Sequence, residues 1–271
     1  MSGLAPSEPD SVVAALIELA CARTGFRRDA VPVQAIARLA RQMVERGATR
    51  TELLSACARA NPGLVDEVRR ACLVNETSLF RQIEHFELVQ EQLVPALLAR
   101  RRQQGIERRP VRAWSAGCAT GEEAWSLASS LLAATGAAAD VDVLGTDVLA
   151  HHIAIAASGA PPTAHRRHAA RHQVVDVDGL VLPALRPLLR FWVHDLRDPP
   201  PDDDFDLIFC RNVLLYLEPA IARAILAHLA GALRPGGVLI LGPVDVDGVP
   251  AGLVRCSSPA LTAFQRPLEG A

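Results

Sequence analysis

Fifteen residues near the middle of the chain, Val111 to Trp125 (VRAWSAGCATGEEAW), say most about its fold class. A mostly apolar stretch, Val111–Trp114, stops at small residues and at two glycines, Gly117 and Gly121. A segment of helical character then opens on two acids, Glu122 and Glu123. That order is the strand–loop–helix turn of a doubly wound α/β sheet. Glycines there let the backbone approach a nucleotide-like ligand, and helix-start N–H groups face it. The spacing is not the dinucleotide fingerprint, since G-x-G-x-x-G is absent from the turn. Acids this close would also repel a pyrophosphate. They suit a cofactor carrying positive charge, such as the sulfonium and ammonium of S-adenosylmethionine. A purely structural glycine turn is the competing reading.

Around this turn, 271 residues, half of them apolar, can bury one large or two modest cores. No apolar run approaches the roughly 20 residues that span a bilayer, so no direct membrane insertion is expected. Residues 1–10 are polar and acidic, without the basic-then-apolar order of a signal peptide. A net charge of −2 gives no bias toward nucleic acid. All 28 basic residues are arginine. Without lysine there is no Schiff base, no Walker-type phosphate lysine and no kinase-type lysine. Six scattered cysteines without a C-x-x-C pair read as reduced thiols of a cytoplasmic protein, not as a disulfide framework or zinc site.

Residues 11–73 carry apolar positions at helical spacing near 11–23, 31–46, 49–60 and 63–73, punctuated by Gly25, Gly47 and Asn61-Pro62-Gly63. A long helix is expected from Ile83 to about Gln104, running into arginines between 100 and 109 that read as a solvated connector. From Val111 short strands alternate with helices, the pattern of a mostly parallel sheet. Strands are expected near 111–115, 141–145, 190–194, 205–209 and 237–242, and helices over 121–135, 148–158 and 218–233. The stretch 251–266 should add the last strand or strands. Residues 160–189 break the rhythm and read as an insertion, with Asp178-Gly179 able to turn a small hairpin. The expected domains are an all-helical N-terminal domain (1–82), a linker helix and connector (83–110) and an α/β domain (111–271).

Four motifs in order, NETSLFR at 75–81, WSAGCATGEEAWSLA at 114–128, LGTD at 144–147 and FDLIFCRNVLLYL at 205–217, resemble the chemotaxis receptor methyltransferases of the CheR type. The resemblance covers roughly residues 11–266. It implies a Rossmann-like class I methyltransferase sheet with helices on both faces, preceded by a small helical domain and carrying a small β insertion. It further implies transfer of a methyl group from S-adenosylmethionine to the γ-carboxylate of receptor glutamates, giving a methyl ester. Leu79 stands where the family usually has an aromatic, and Pro243-Val244-Asp245 where it often has a Ser-Glu pair.

Read alone, Asp147 ends a strand where a carboxylate can accept from two ribose hydroxyls, or can cap the next helix. The resemblance gives it the ribose. It gives Glu123 the amino-acid end of the cofactor, against simple helix-dipole compensation, which is the reading for Glu122. Gly117 belongs to the cofactor turn. Asn75, Thr77 and Arg81 would converge from a helix start; the family places them on the cofactor, with Arg81 facing methyl transfer. Asp195 and Leu196 match the adenine-contacting position. Arg211 and Asn212 follow a buried strand at its ligand end, where an arginine is costly unless it meets a carboxylate. Tyr216, the only tyrosine, lies near the transferred methyl by resemblance, or is simply packed under a helix. Cys210 has no base to make it a nucleophile.

The expected chemistry is direct displacement by a carboxylate already ionised at neutral pH, needing alignment and a dry site but no general base. Arg81, Arg211 and Tyr216 are the catalytic candidates. Arg38 and Arg41, neighbours on one helix face, could meet the helical cytoplasmic domain of a chemoreceptor or similar sensory protein, or could be a solvated basic face. His165, His168 and His172 are not expected to hold a metal, and Asp202–Asp204 read as a solvated loop. A cofactor-binding docking protein, or a same-fold enzyme acting on another acceptor, are the alternatives.

Overall fold

The computed structural model describes residues 8–73, 77–105, 108–161, 174–176, 178–246, 248–256 and 262–268, without the side chains of 8–10 and 104. It divides into two compact units. One comprises residues up to 75 with 216–222, the other residues 76–215 with 223–271.

The first unit is helical: α1 (Glu8–Thr24), α2 (Val33–Glu45), α3 (Arg50–Ala58) and α4 (Pro62–Cys72). Local chemistry sets the boundaries. Thr49 and Glu52 close a capping box at the start of α3, and Asn61 caps α4 by accepting from the Leu64 N–H, with Pro62 in the first turn. The inward faces pool Leu16, Ile36, Leu39, Met43, Leu53, Leu64 and Val68 into one core. Residues 216–222 join this unit: Phe26 bridges Leu217, and the Arg27 N–H donates to the Tyr216 carbonyl.

The second unit begins with a helix over 83–104, as its spacing predicts. It runs α5 (Ile83–Leu88), one π turn (Val89–Leu93) and α6 (Val94–Gln104). The stretch 83–110 does more than link: Phe86, Val89, Val94 and Leu97 are buried in this unit's core. The arginines of 100–109 are not simply solvated either, since the Arg101 side chain is 1% exposed and lies on a carboxylate.

Seven strands follow: β1 (Val111–Ala116), β2 (Val141–Asp147), β3 (Leu189–Val193), β4 (Phe205–Cys210), β5 (Leu233–Leu241), β6 (Val254–Arg255) and β7 (Thr262–Gln265). They form one sheet ordered β3-β2-β1-β4-β5-β7-β6; the first five are parallel, and β7 runs antiparallel to β5 and β6. Between them lie α7 (Glu122–Thr135), α8 (Ala150–Ser158) and α9 (Pro219–Ala232). Val111, Ala113, Val143, Leu207 and Phe209 pack with Ala124, Leu127 and Leu131 of α7 in the main core. Every residue of β4 is buried, as a central parallel strand requires. β5 begins earlier than its apolar run because Leu233 pairs with Phe205 across a register shift. In the insertion, Val175 and Val181 form an antiparallel bridge, and Gly179 turns at φ +80°. His165, His168 and His172 lie outside the described residues.

Candidate active site

β1 leads to β2 on one side and lies against β4 on the other, so the carboxyl ends of β1 and β4 border the switch point where open α/β sheets bind ligands. The loop after β1 is fastened to the end of β2. Gly117 and Cys118 both donate N–H groups to the Thr146 carbonyl at 2.8 Å, and Ala119 donates to Asp147 Oδ2 at 3.0 Å. Gly117 sits at φ +82°, and a Cβ there would stand 2.7 Å from Val213 Cγ2. Glycine is therefore required both for the turn and for the close approach of the 213 loop.

Asp147 is nearly buried. Its Oδ1 accepts from the Leu149 N–H at 2.9 Å and lies 3.1 Å from His152 Nδ1. The carboxylate thus steadies the start of α8, while Oδ2 keeps a lone pair beyond its bond to Ala119. Both roles considered from sequence are open to one side chain.

Glu122 and Glu123 have different surroundings. Glu122 is wholly buried and accepts from the Thr120 hydroxyl at 2.7 Å. Burial pushes its carboxyl pKa up, with the Thr120 and Thr77 hydroxyls pulling it back. Glu123 accepts from the Ser115 hydroxyl at 2.8 Å and meets Arg211 Nη1 at 3.3 Å. Burial raises its pKa too, opposed first by Arg211.

The 77–82 segment is stitched onto α7. The Phe80 N–H donates to Ser126 Oγ at 2.9 Å, and that hydroxyl donates to the Glu122 carbonyl at 2.7 Å. Phe80 and Gln82 adopt φ +55° and +59°. Between them Arg81 lies close enough to Glu123 and Arg211 to shift both electrostatically. Arg211 is 5% exposed and held on several sides. Its Nη2 donates to the Arg81 carbonyl at 2.6 Å and to Gln82 Oε1, and its guanidinium lies 5.6 Å from the Phe86 ring and 5.9 Å from Phe209. Burial lowers the Arg211 pKa, and beside it burial first, then Arg211, push the His85 pKa down to about 4.

Of the residues singled out from sequence, Thr77, Arg81, Gly117, Glu123, Asp147, Arg211 and Asn212 belong to this ligand-end cluster of loops. Asp195 and Leu196 follow β3, but the Asp195 carboxylate is engaged by Arg197, through Nε at 2.9 Å and Nη2 at 2.6 Å. Tyr216 packs in the helical unit, 6.1 Å ring to ring from Phe26. Arg38 and Arg41 are exposed on α2. Asn75 lies outside the described residues. Burial drives the Cys118 and Cys210 thiols well up, so neither is a thiolate nucleophile. Asp202 pairs with Arg112, and Asp204 with Arg109 and Arg234, so the acidic loop is an ion-paired element and not a merely solvated one.

Sequence reasoning missed Gln82, Ser115, Ser126 and Asp245. Asp245, treated only as a departure from a Ser-Glu pair, is 5% exposed. Its carboxylate accepts the N–H groups of Asn212, Val213, Leu215 and Gly242. A carboxylate just beyond the last central strand, beside a glycine, was the available signal.

A tight glycine cradle, a carboxylate at the end of β2 with a spare lone pair, and an acid in the first turn after β1 fit a ligand with a ribose and a cationic amino-acid end. They define a class: Rossmann-like methyltransferases that use S-adenosylmethionine. Residues 75–246 match the family model described as "CheR methyltransferase, SAM binding domain". The chain is 31% identical over 223 residues to chemotaxis protein methyltransferase 1 of Pseudomonas aeruginosa, covering 76% of this chain and 80% of that protein. It is 32% identical over 185 residues to the chemotaxis protein methyltransferase of Listeria monocytogenes, covering 66% and 68%. A probable chemotaxis protein methyltransferase of Rhizobium etli is 34% identical over 181 residues, covering 62% and 66%. The chain belongs to the CheR methyltransferase family. It is an enzyme of chemotactic adaptation that methylates with S-adenosylmethionine as cofactor. Among the described residues no helix is long and apolar enough to cross a membrane, and no three or more His, Cys, Asp or Glu side chains group as metal ligands would.

Proposed function

We propose that this methyltransferase esterifies glutamate side chains on the cytoplasmic helical domain of a chemoreceptor or similar sensory protein, and that it works in the cytoplasm. The observation that carries the reading is the buried Arg211 guanidinium against Glu123 at the ligand end of β1 and β4, with Arg81 near enough to act electrostatically on both. Positive charge there recruits a carboxylate, and a carboxylate needs no base to attack. The neighbouring His85, held neutral by burial, would be a poor base.

S-adenosylmethionine supplies an electrophilic methyl group. Asp147 would take the ribose hydroxyls through Oδ2, Glu123 the ammonium, and the Gly117–Ala119 backbone the body of the cofactor, with Thr77 and Asn212 bordering it. Asp195, steadied by Arg197, would face the adenine, and Leu196 would offer backbone and apolar surface. Arg211, fixed by Gln82 and the Arg81 carbonyl, would steer the incoming carboxylate with Arg81. A tight grip would stabilise the ground state and slow transfer. Tyr216 remains a catalytic candidate by its motif. On α2, Arg38 and Arg41 would meet an acidic receptor helix.

The test uses methyl-labelled S-adenosylmethionine with membranes or purified receptor domains from the source organism, followed by mild base. Release of labelled methanol from a receptor-sized protein is the expected result. Base-stable label would point to another acceptor, and cofactor binding without labelling to a docking protein.

A further inference from the structure

We propose that Asp245 is a positioning residue for methyl transfer: its buried carboxylate holds the Arg211–Leu215 backbone in its cofactor-facing conformation. The inference rests on the roles proposed above for Arg211 and Asn212. Four backbone N–H groups converge on one side chain. Asp245 Oδ2 accepts from Asn212 at 2.6 Å and Gly242 at 2.8 Å, while Oδ1 accepts from Val213 at 3.1 Å and Leu215 at 3.2 Å. Each oxygen takes two donors, which fills the ordinary capacity of a carboxylate.

The held segment does not adopt its shape without help. Asn212 sits at φ +59°, a left-handed conformation that few non-glycine residues adopt, asparagine among the more tolerant, and that the Asp245 bonds hold in place. It directly follows Arg211, whose side chain meets Glu123, and directly precedes Val213, whose methyl packs over Gly117. One carboxylate therefore sets three neighbours of the candidate cofactor pocket. Gly242 makes the arrangement possible, because a Cβ there would lie 2.5 Å from Asp245 Oδ2 and 3.0 Å from the Asn212 nitrogen.

Asp245→Asn replaces one acceptor oxygen by a donor and leaves two N–H groups facing an N–H. Gly242→Ala keeps the aspartate but displaces it. Both are expected to weaken S-adenosylmethionine binding at least tenfold by calorimetry. Both should also raise the KM for the cofactor while leaving the KM for the protein acceptor within twofold. An aspartate with a purely structural role would lower the melting temperature and leave the cofactor affinity of the folded protein unchanged, and that result overturns the proposal. So does failure of both variants to fold, which would make Asp245 a folding determinant. Asn212→Ala is the control. Affinity lost there but kept in both other variants removes the positioning role alone. Affinity kept in all three means that the cofactor does not use this loop, and the site assignment falls with it.

Discussion

The two ends of the central sheet use the same residue types in opposite ways. At the amino ends of the strands, carboxylates meet guanidiniums. Asp206 takes Arg101 Nη2 at 2.7 and 2.8 Å and Arg234 Nη1 at 3.0 Å, and also accepts the Arg112 N–H at 2.8 Å. Asp142 receives Arg190 and Arg112, and Asp204 receives Arg234 and Arg109. At the carboxyl ends, Asp147 and Asp245 instead hold backbone N–H groups, and Glu123 accepts from the Ser115 hydroxyl and meets Arg211 at 3.3 Å. Four of the non-glycine residues with positive φ, Phe80, Gln82, Ala119 and Asn212, lie at this second end. The first arrangement fixes the sheet. The second holds loop conformations of positive φ, with Asp147 Oδ2 left able to take a further partner.

The sharpest way to break this contrast is to cut the first arrangement. Asp206→Ala strands buried Arg101 and the Arg112 N–H, and should cost about 3–5 kcal/mol in urea unfolding. Arg211→Ala should show the reverse balance. Methyl transfer, read as kcat/KM, should fall on the order of 100–1,000-fold, with a smaller loss of stability than Asp206→Ala. Next, Asp147→Ala should weaken S-adenosylmethionine binding by roughly 10–100-fold, or about 1.4–2.8 kcal/mol. Arg81→Ala should lower turnover more than cofactor affinity; equal losses in calorimetry and kinetics would end that division of labour.

The smallest effect concerns Glu122, buried with a raised pKa. A carboxyl whose folded pKa lies above its unfolded value favours folding when protonated. That contribution is complete below the unfolded value and is lost as pH rises through the folded one. Glu122→Gln should therefore stabilise the protein at pH 8, with the gain vanishing near pH 4. A pH-independent change in unfolding free energy would show that burial of its charge is not what matters.

Much of this architecture could be read in advance because it rests on local signals. The glycine turn, the helix over 83–104 and the run FDLIF each carry periodicity or punctuation within a few residues. Tertiary partners were not readable. Arg101 stands in a run of arginines that looks solvated, and only the fold supplies Asp206, 105 residues away, to accept it. The clasp of Arg197 on Asp195, two residues away, was likewise not readable. Asp245 was passed over because its partners are backbone N–H groups, which a sequence does not display.

The three tryptophans give the molecule an uneven optical reporter. Trp114 and Trp125 are buried, with ring N–H groups donating to Thr146 Oγ1 at 2.9 Å and to the Ala156 carbonyl at 3.2 Å; Trp192 is 40% exposed. All three belong to the unit built on the sheet, and the helical unit has none. Intrinsic tryptophan emission therefore follows unfolding of the sheet unit and is blind to melting of α1–α4, which far-ultraviolet circular dichroism records. Disagreement between the two signals would mean that the units unfold separately, whereas coincident transitions would be those of one cooperative molecule.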